Sequence, residues 1–298
     1  MSGGFAQRLG EAVERRQSQI VLGLDPNPAS LWPAAAAAAQ GAGSAAERAA
    51  RAVFEHCRLV IGAAAGSCVG LKPQLACFER LGAPGWWALA EVVALAHEAD
   101  LLVIADGKRG DFPLTASAYA QALAGSTQTL AGEVTGLGAD AFTANPLLGR
   151  DALEPMVASG AGVFVLVRTS NPGAADLQDL PLADGTALWE RIALLVDELG
   201  TSAGALSDVG AVVGATHPEY LERARALMPR AIFLLPGVGA QGGRAEDLGA
   251  AFAPGRAGGL LTASRSIVNA HEQAGGDPAA AAAAEAERLR AVAWSLAP

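Results

Sequence analysis

Leu101-Leu102-Val103-Ile104-Ala105-Asp106-Gly107-Lys108-Arg109-Gly110-Asp111 is the stretch on which the fold turns. Leu101 to Ala105 is a continuous apolar run, the form taken by a strand buried on both faces of a parallel sheet. A helical stretch follows from Pro113 through Leu123, so the segment reads as strand, charged turn and helix. Asp-x-Lys-x-x-Asp thus stands at a strand's carboxyl end, where parallel α/β enzymes assemble their active sites. In an extended chain residues 106 and 108 project to the same side, and their carboxylate and ammonium converge on one small volume. Asp111 lies past the turn and need not join them within its own chain.

Short apolar runs of the same kind recur along the chain: Ile20 to Leu24, Val69 to Leu71, Ala141 to Ala144, Val163 to Val167, Ala211 to Val213, Ile232 to Leu235 and Gly259 to Leu261. With Leu101 to Ala105 they make eight candidate strands, and most intervals between them are long enough for a crossover helix. Eight such units predict a closed (β/α)₈ TIM barrel spanning 1–298 as a single domain, with a doubly wound open sheet as the alternative. The interval 28–66 exceeds a standard unit and predicts an extra helical insertion, since Arg48 to Leu59 has helical periodicity. Residues 268–298 predict a helical C-terminal extension. Alanine runs at Ala34 to Ala39 and Ala279 to Ala284 extend or flank helices and carry no chemistry.

Only two lysines, Lys72 and Lys108, occur beside nineteen arginines, and both stand in or just after strand-like runs. An ammonium can release a proton when its pKa is moved, whereas a guanidinium stays charged at any working pH. Proton delivery is the chemistry this selectivity suggests.

Composition narrows the classes further. With 51% hydrophobic and 17% charged residues the chain is a folded domain rather than a disordered one. A net charge of −9 opposes nucleic-acid and anionic-membrane binding, and no basic stripe interrupts it. No apolar run has a membrane-spanning length, and the amino terminus lacks a signal-peptide core, so a cytoplasmic location is expected. Cys57, Cys68 and Cys77 show neither a paired framework nor metal-ligand spacing and read as reduced and mostly buried. No metal site and no cofactor is expected. His56, His97, His217 and His271 likewise lack metal spacing, and His217 reads as a turn residue. Trp86 and Trp87 read as helix residues packed on the barrel, and Trp32, Trp189 and Trp294 as packing residues.

Polar groups follow nearly every strand. Asp25 follows the first, Lys72 the second, Asp106 and Lys108 the third, and Asn145 the fourth. Arg168-Thr169-Ser170-Asn171-Pro172-Gly173 follows the fifth, and Ala215-Thr216-His217-Pro218 the sixth. Convergence of so many strand ends on one face is how barrel enzymes build sites. The seventh and eighth ends predict a phosphate site. Pro236-Gly237-Val238-Gly239-Ala240-Gln241-Gly242-Gly243 offers unhindered backbone amides, and Thr262-Ala263-Ser264-Arg265-Ser266-Ile267 sets an arginine beyond the last strand. From the residues alone, Gln241 either solvates the loop or closes over the phosphate.

These blocks together resemble the orotidine 5′-phosphate decarboxylase family, and within it the type 2 branch. The branch signature reads here as Ala105-Asp106-Gly107-Lys108-Arg109-Gly110-Asp111, then Thr115-Ala116 and Ala118-Tyr119-Ala120. Gly23-Leu24-Asp25-Pro26, Leu71-Lys72-Pro73, Asn145-Pro146-Leu147-Leu148-Gly149, Arg168 to Gly173, Pro236 to Gly243 and Ser264-Arg265-Ser266-Ile267 are similar to the family's other blocks, in its order. The likeness runs from Val21 to Ile267. Phe112-Pro113-Leu114 departs from the family's isoleucine and small residues at the start of the third helix.

The resemblance implies decarboxylation of orotidine 5′-monophosphate to uridine 5′-monophosphate, the last step of de novo pyrimidine nucleotide synthesis, without metal or organic cofactor. Lys108 would stabilise and protonate the C6 carbanion, Asp106 would lie by the departing carboxylate, and Lys72 would orient Asp106 and bond the ribose. Asp25 would hold a ribose hydroxyl, Thr169 or Ser170 would read the pyrimidine, and Gln241 and Arg265, with the loop from Pro236, would clamp the phosphate. Asp111 and Thr115 would enter a neighbouring subunit's site, which implies a homodimer. Arg109 is left as an ion-pair partner or a dimer contact. Two rivals remain: a Mg²⁺-dependent barrel lyase or aldolase acting on a sugar phosphate, and a non-catalytic nucleotide-binding barrel.

Overall fold

Eight short runs of Val, Ile, Leu, Phe and Ala cannot be solvated on either face, and they satisfy their backbones by closing on one another. The computed structural model describes residues 3–200, 204–238 and 242–296. Its strands are β1 (Ile20–Leu24), β2 (Gly70–Pro73), β3 (Leu102–Arg109), β4 (Ser126–Thr129), β5 (Gly132–Thr135), β6 (Ala141–Ala144), β7 (Gly162–Arg168), β8 (Ser207–Val213), β9 (Ala231–Pro236) and β10 (Gly259–Ala263). Eight of them form a closed barrel in the order β1-β10-β9-β8-β7-β6-β3-β2, with every neighbouring pair parallel. The expected (β/α)₈ architecture is the observed one, and each of the eight candidate strands is a barrel strand.

Alternation along the strands divides the apolar residues into two layers. Leu22, Val103, Ala105, Phe142, Val165, Ala211 and Phe233 point outward into a mantle shared with the surrounding helices. Val21, Ile104, Ala141, Phe164, Val212, Ile232 and Leu260 point inward and are buried at the amino end. The helix Phe5–Arg16 closes that end, inserting Phe5, Leu9 and Val13, with the Phe5 ring edge-on to Phe164 at 5.8 Å. Two residues further along several strands the inward positions turn polar: Ile104 gives way to Asp106, Ala141 to Thr143 and Leu260 to Thr262. One end of the barrel is therefore a packed core and the other a polar bowl.

The interval 28–66 holds a one-turn helix, Pro33–Ala36, and the long helix Ala45–Ala64, which is the β1-to-β2 crossover. Ser44 starts the long helix with a capping box: its hydroxyl accepts from Glu47 N at 3.3 Å while Glu47 Oε2 accepts from Ser44 N at 2.6 Å. Such a cap contributes about 1 kcal/mol. Beyond β10 come Arg265–Val268, Ala270–Ala274 and Pro278–Leu296, the last lying against Ala45–Ala64.

One reading of the helices is corrected. Trp86 and Trp87 do lie in a helix, Ala83–Glu98, but on its outer face, 41% and 45% exposed, with Trp87 meeting only the tilted ring of Phe54 at 5.8 Å among aromatic neighbours. Trp32 and Trp189 are buried as expected. The hairpin β4–β5 had no apolar run to announce it; it is polar and pinned by its turn, where Gly132 adopts φ +115° and Thr129 Oγ1 donates to Gly132 O at 2.7 Å. Phe112 and Leu114 leave the next helix undisturbed: Pro113 occupies its first turn, where a missing N–H costs nothing. Among the described residues no helix is long and apolar enough to cross a membrane.

Candidate active site

The polar bowl owes its shape to an irregularity in β3. Ala105 faces Phe142 and Arg109 faces Ala144, so Asp106, Gly107 and Lys108 together span the place of a single residue, Thr143, on β6. Lys108 accommodates the excess with φ +47°, the left-handed region that a non-glycine side chain rarely enters. Convergence of residues 106 and 108 was expected from simple alternation. It arises instead from this bulge, which folds the Lys108 side chain back over Asp106.

Asp106 is almost fully buried and accepts from four donors. Lys108 Nζ at 2.6 Å and Thr143 Oγ1 at 2.9 Å reach Oδ1, and Lys72 Nζ at 2.7 Å and Gln74 Nε2 at 3.2 Å reach Oδ2. Each carboxylate oxygen thus has both lone-pair directions occupied. Burial works against the carboxylate's charge, yet Lys72 and Lys108 outweigh it and hold Asp106 far below the usual carboxylate range. Lys72, also buried, loses hydration, but the fields of Asp106 and Asp25 overcome that loss and raise its pKa. Asp106 and Lys72 are both charged at neutral pH.

Around this triad a cavity of ≈280 Å³ is lined by Asp25, Lys72, Gln74, Asp106, Lys108, Pro236, Gly237, Val238, Thr262, Ser264 and Arg265. One wall carries the carboxylate and two lysines, and the opposite wall carries Arg265 and the loop after β9. That loop turns back on itself, with Gly237 at φ +102°, Gly242 at φ +89° and Gly243 N donating to Gly237 O at 3.1 Å. Gln241 lies outside the described residues. Thr262 is buried within the lining, and its hydroxyl has no hydrogen-bond partner among the described residues. A cavity with an anion-binding end and a charged triad at the other suits a small phosphorylated molecule.

The remaining candidates stand apart from the cavity. Thr169 Oγ1 donates to Asn171 Oδ1 at 2.7 Å, and its backbone N–H donates to Gln178 Oε1 at 2.8 Å. Ser170 packs against Gly214, where an added Cβ would stand 2.8 Å from its backbone. Asp111 caps the next turn by accepting from Phe112 N at 2.8 Å, and Thr115 is exposed. Both sit at a rim where Phe112, Leu114, Leu147 and Leu148 are exposed. Arg109 proves to be an ion-pair partner within its own chain: it pairs with Glu79 and lies 5.4 Å over the Tyr119 ring. His217 sits in the turn after β8, paired with Glu219 at 3.1 Å.

Three lining or supporting residues escaped the sequence reading. Thr143 had a visible signal, being the lone polar residue in Ala141–Ala144. Gln74 sits two residues past Lys72, beyond a proline that drew attention to the strand's end instead. Thr262 was noticed only as the lead-in to Arg265. Among the described residues no group of three His, Cys, Asp or Glu side chains is arranged to hold a metal ion.

A family model described as Orotidine 5′-phosphate decarboxylase / HUMPS family matches residues 18–284. A Rhodopirellula baltica protein named orotidine 5′-phosphate decarboxylase is 43% identical over 280 residues, covering 90% of this chain and 89% of its own. A Haloarcula marismortui protein of the same name is 44% identical over 273 residues, covering 91% and 88%. Among solved structures, Leishmania donovani OMP decarboxylase superposes with a TM-score of 0.75 at 33% identity, covering 98% of this chain and 99% of that one. A Streptomyces avermitilis structure described as a putative orotidine 5′-phosphate decarboxylase gives 0.79 at 30% identity, covering 99% and 97%.

Proposed function

The chain belongs to the orotidine 5′-phosphate decarboxylase / HUMPS family, and from that premise we propose that it decarboxylates orotidine 5′-monophosphate to uridine 5′-monophosphate without a metal or cofactor. The observation that carries the reading is the buried Asp106 carboxylate bridging Lys72 and Lys108 on one wall of a cavity whose other wall holds Arg265.

Loss of carbon dioxide from C6 leaves an electron pair in the plane of the ring, where the ring's π system cannot spread it. A fixed cation beside C6 supplies the missing stabilisation. Lys108 is that cation, and it is held in an ion pair with Asp106 at 2.6 Å. Its ammonium then delivers a proton to C6, forming the C6–H bond of the product and leaving a neutral amine that solvent reprotonates. The substrate carboxylate enters beside Asp106, and the repulsion between the two anions favours departure of carbon dioxide. Lys72 fixes Asp106 from the far side and bonds the ribose, while Asp25 accepts from a ribose hydroxyl. Ser170 or Thr169 reads the pyrimidine edge. Arg265, the backbone amides after Pro236 and Gln241 hold the phosphate, whose binding energy closes the site and lowers the barrier at the distant C6.

Asp111 and Thr115 complete the site of a second copy. Support comes from their place on a rim with Phe112 71% and Leu114 87% exposed, an apolar edge that a homodimer would cover. The enzyme acts in the cytoplasm.

The test is ultraviolet loss of the orotate chromophore when the protein meets orotidine 5′-monophosphate in excess chelator, with Lys108→Ala as control. Turnover that disappears in the variant supports both the metal-free reaction and the lysine's role. No turnover, with uridine 5′-monophosphate still binding, overturns it in favour of a binding barrel; turnover abolished by the chelator overturns the metal-free claim.

A further inference from the structure

Thr143 is 1% exposed and stands alone opposite the three-residue excursion of β3. Its Oγ1 accepts from the backbone N–H of Lys108 at 2.9 Å and donates to Asp106 Oδ1 at 2.9 Å. A hydroxyl has one proton, and because an N–H can only donate, that proton is committed to the carboxylate. A single side chain therefore ties down the left-handed backbone of Lys108 and, at the same time, the oxygen to which the Lys108 ammonium is paired. No other side chain bonds both residues among the described contacts: Lys72 and Gln74 reach only Oδ2.

We propose that Thr143 is a positioning residue for the decarboxylation, whose hydroxyl staples the β3 bulge and thereby sets where the Lys108 ammonium stands relative to Asp106. The inference rests on the decarboxylase reading above. Without the hydroxyl, the Lys108 N–H loses its partner and the φ +47° backbone loses the bond that offsets its strain. The bulge then relaxes, and the ammonium no longer sits where charge develops at C6. The bound substrate is gripped mainly by its phosphate, on the Arg265 side of the cavity. The effect therefore falls on turnover and not on affinity.

The measurement compares Thr143→Val, which keeps the shape and the β-strand preference but not the hydroxyl, with Thr143→Ser, which keeps the hydroxyl but not the methyl. Steady-state constants on orotidine 5′-monophosphate are expected to show kcat for Thr143→Val down by about 10²-fold with KM nearly unchanged, the cost of a misplaced catalytic group. Thr143→Ser is expected to stay within about threefold of the parent on the same scale. A second readout needs no activity. Labelling with ¹⁵N-lysine gives only two backbone amides, Lys72 and Lys108, and hydrogen exchange at Lys108 should quicken by about tenfold or more in Thr143→Val while Lys72 holds as the reference.

An equal loss in both variants would mean that the methyl's packing matters, which overturns the proposal. Unchanged kcat in Thr143→Val overturns it also, whatever the amide does. If the parent protein turns over no orotidine 5′-monophosphate, it is the decarboxylase reading that fails, and the Lys108 amide still decides whether Thr143 holds the bulge: an unaltered exchange rate there refutes the staple.

Discussion

Lys72 Nζ lies 2.7 Å from Asp106 Oδ2, on the opposite side of the carboxylate from Lys108, and both partners are at least nine-tenths buried. Removing the ammonium leaves a buried carboxylate with Lys108 as its single cation, and that cation's side chain is 43% exposed. Breaking a buried pair on one side costs about 3 kcal/mol. Lys72→Met, which retains the aliphatic stem, is expected to lower the free energy of unfolding by that amount and to reduce kcat by about 10³-fold, since Asp106 is freed to swing toward Lys108. Equilibrium unfolding together with turnover checks both parts; a variant as stable as the parent would show that Asp106 takes up a proton when Lys72 is gone.

Sharing of sites between two copies has its own test. Lys108→Ala lacks the proposed proton donor, and Asp111→Ala lacks the group proposed to reach across. Under subunit exchange half the dimers are mixed, and each mixed dimer has one of its two sites intact, so about a quarter of parental activity returns. Within its own chain the Asp111 carboxylate accepts from Phe112 N, its one partner among the described residues. No recovery on mixing, with exchange verified by mass, would mean that Asp111 serves the site of its own subunit or none.

The barrel was legible because its strands are continuous apolar runs bounded by glycine, proline or charge, and burial on both faces requires that pattern. Asp25, Lys72, Asp106, Lys108 and Arg265 were legible for a second reason: each is a charged residue within four positions of the end of such a run, and strand ends on one rim of a closed barrel must meet. What stayed hidden depends on register. Nothing in Asp106-Gly107-Lys108 says that it spans one residue of β6 or that Lys108 turns left-handed, so Thr143 could not be seen as its partner. The exposure of Trp86 and Trp87 was hidden too, because the helix Ala83–Glu98 is apolar nearly all round and its periodicity does not choose a face.

Gly214 ties the loop after β7 to the loop after β8. A Cβ there would stand 2.8 Å from Ser170 N and Cα, with no flexible side-chain end to yield. Gly214→Ala is expected to displace the Thr169-Ser170 segment and weaken recognition of the pyrimidine, raising KM about tenfold, or about 1.4 kcal/mol. The barrel strands beneath remain in register, so kcat falls less than KM rises. Equal losses of binding for uridine 5′-monophosphate and for ribose 5-phosphate would contradict this, because only the former carries the base.

His56 is expected to make the fold acid-sensitive through a group other than Lys72, Asp106 or Lys108. Its Nδ1 accepts the backbone N–H of Trp32 at 3.2 Å, which requires the neutral ring with its proton on Nε2. Burial, and secondarily the nearby His271, lower its pKa from 6.5 to about 4. Trp32 stands edge-on to both imidazoles, at 5.5 Å from His56 and 6.3 Å from His271. Protonation is penalised in the folded state only, so between pH 6.5 and about 4 the unfolded chain binds the proton first and stability falls as pH falls. The loss across that window is about 3 kcal/mol. Asp106, whose pKa is depressed, adds its own loss only at lower pH, below the ordinary carboxylate value of 3.8. His56→Phe should therefore start less stable at neutral pH, having left the Trp32 N–H without an acceptor, and then show a flatter dependence through the histidine window. Urea midpoints taken across that window in both proteins decide the matter: parallel slopes would assign the acid sensitivity to other groups.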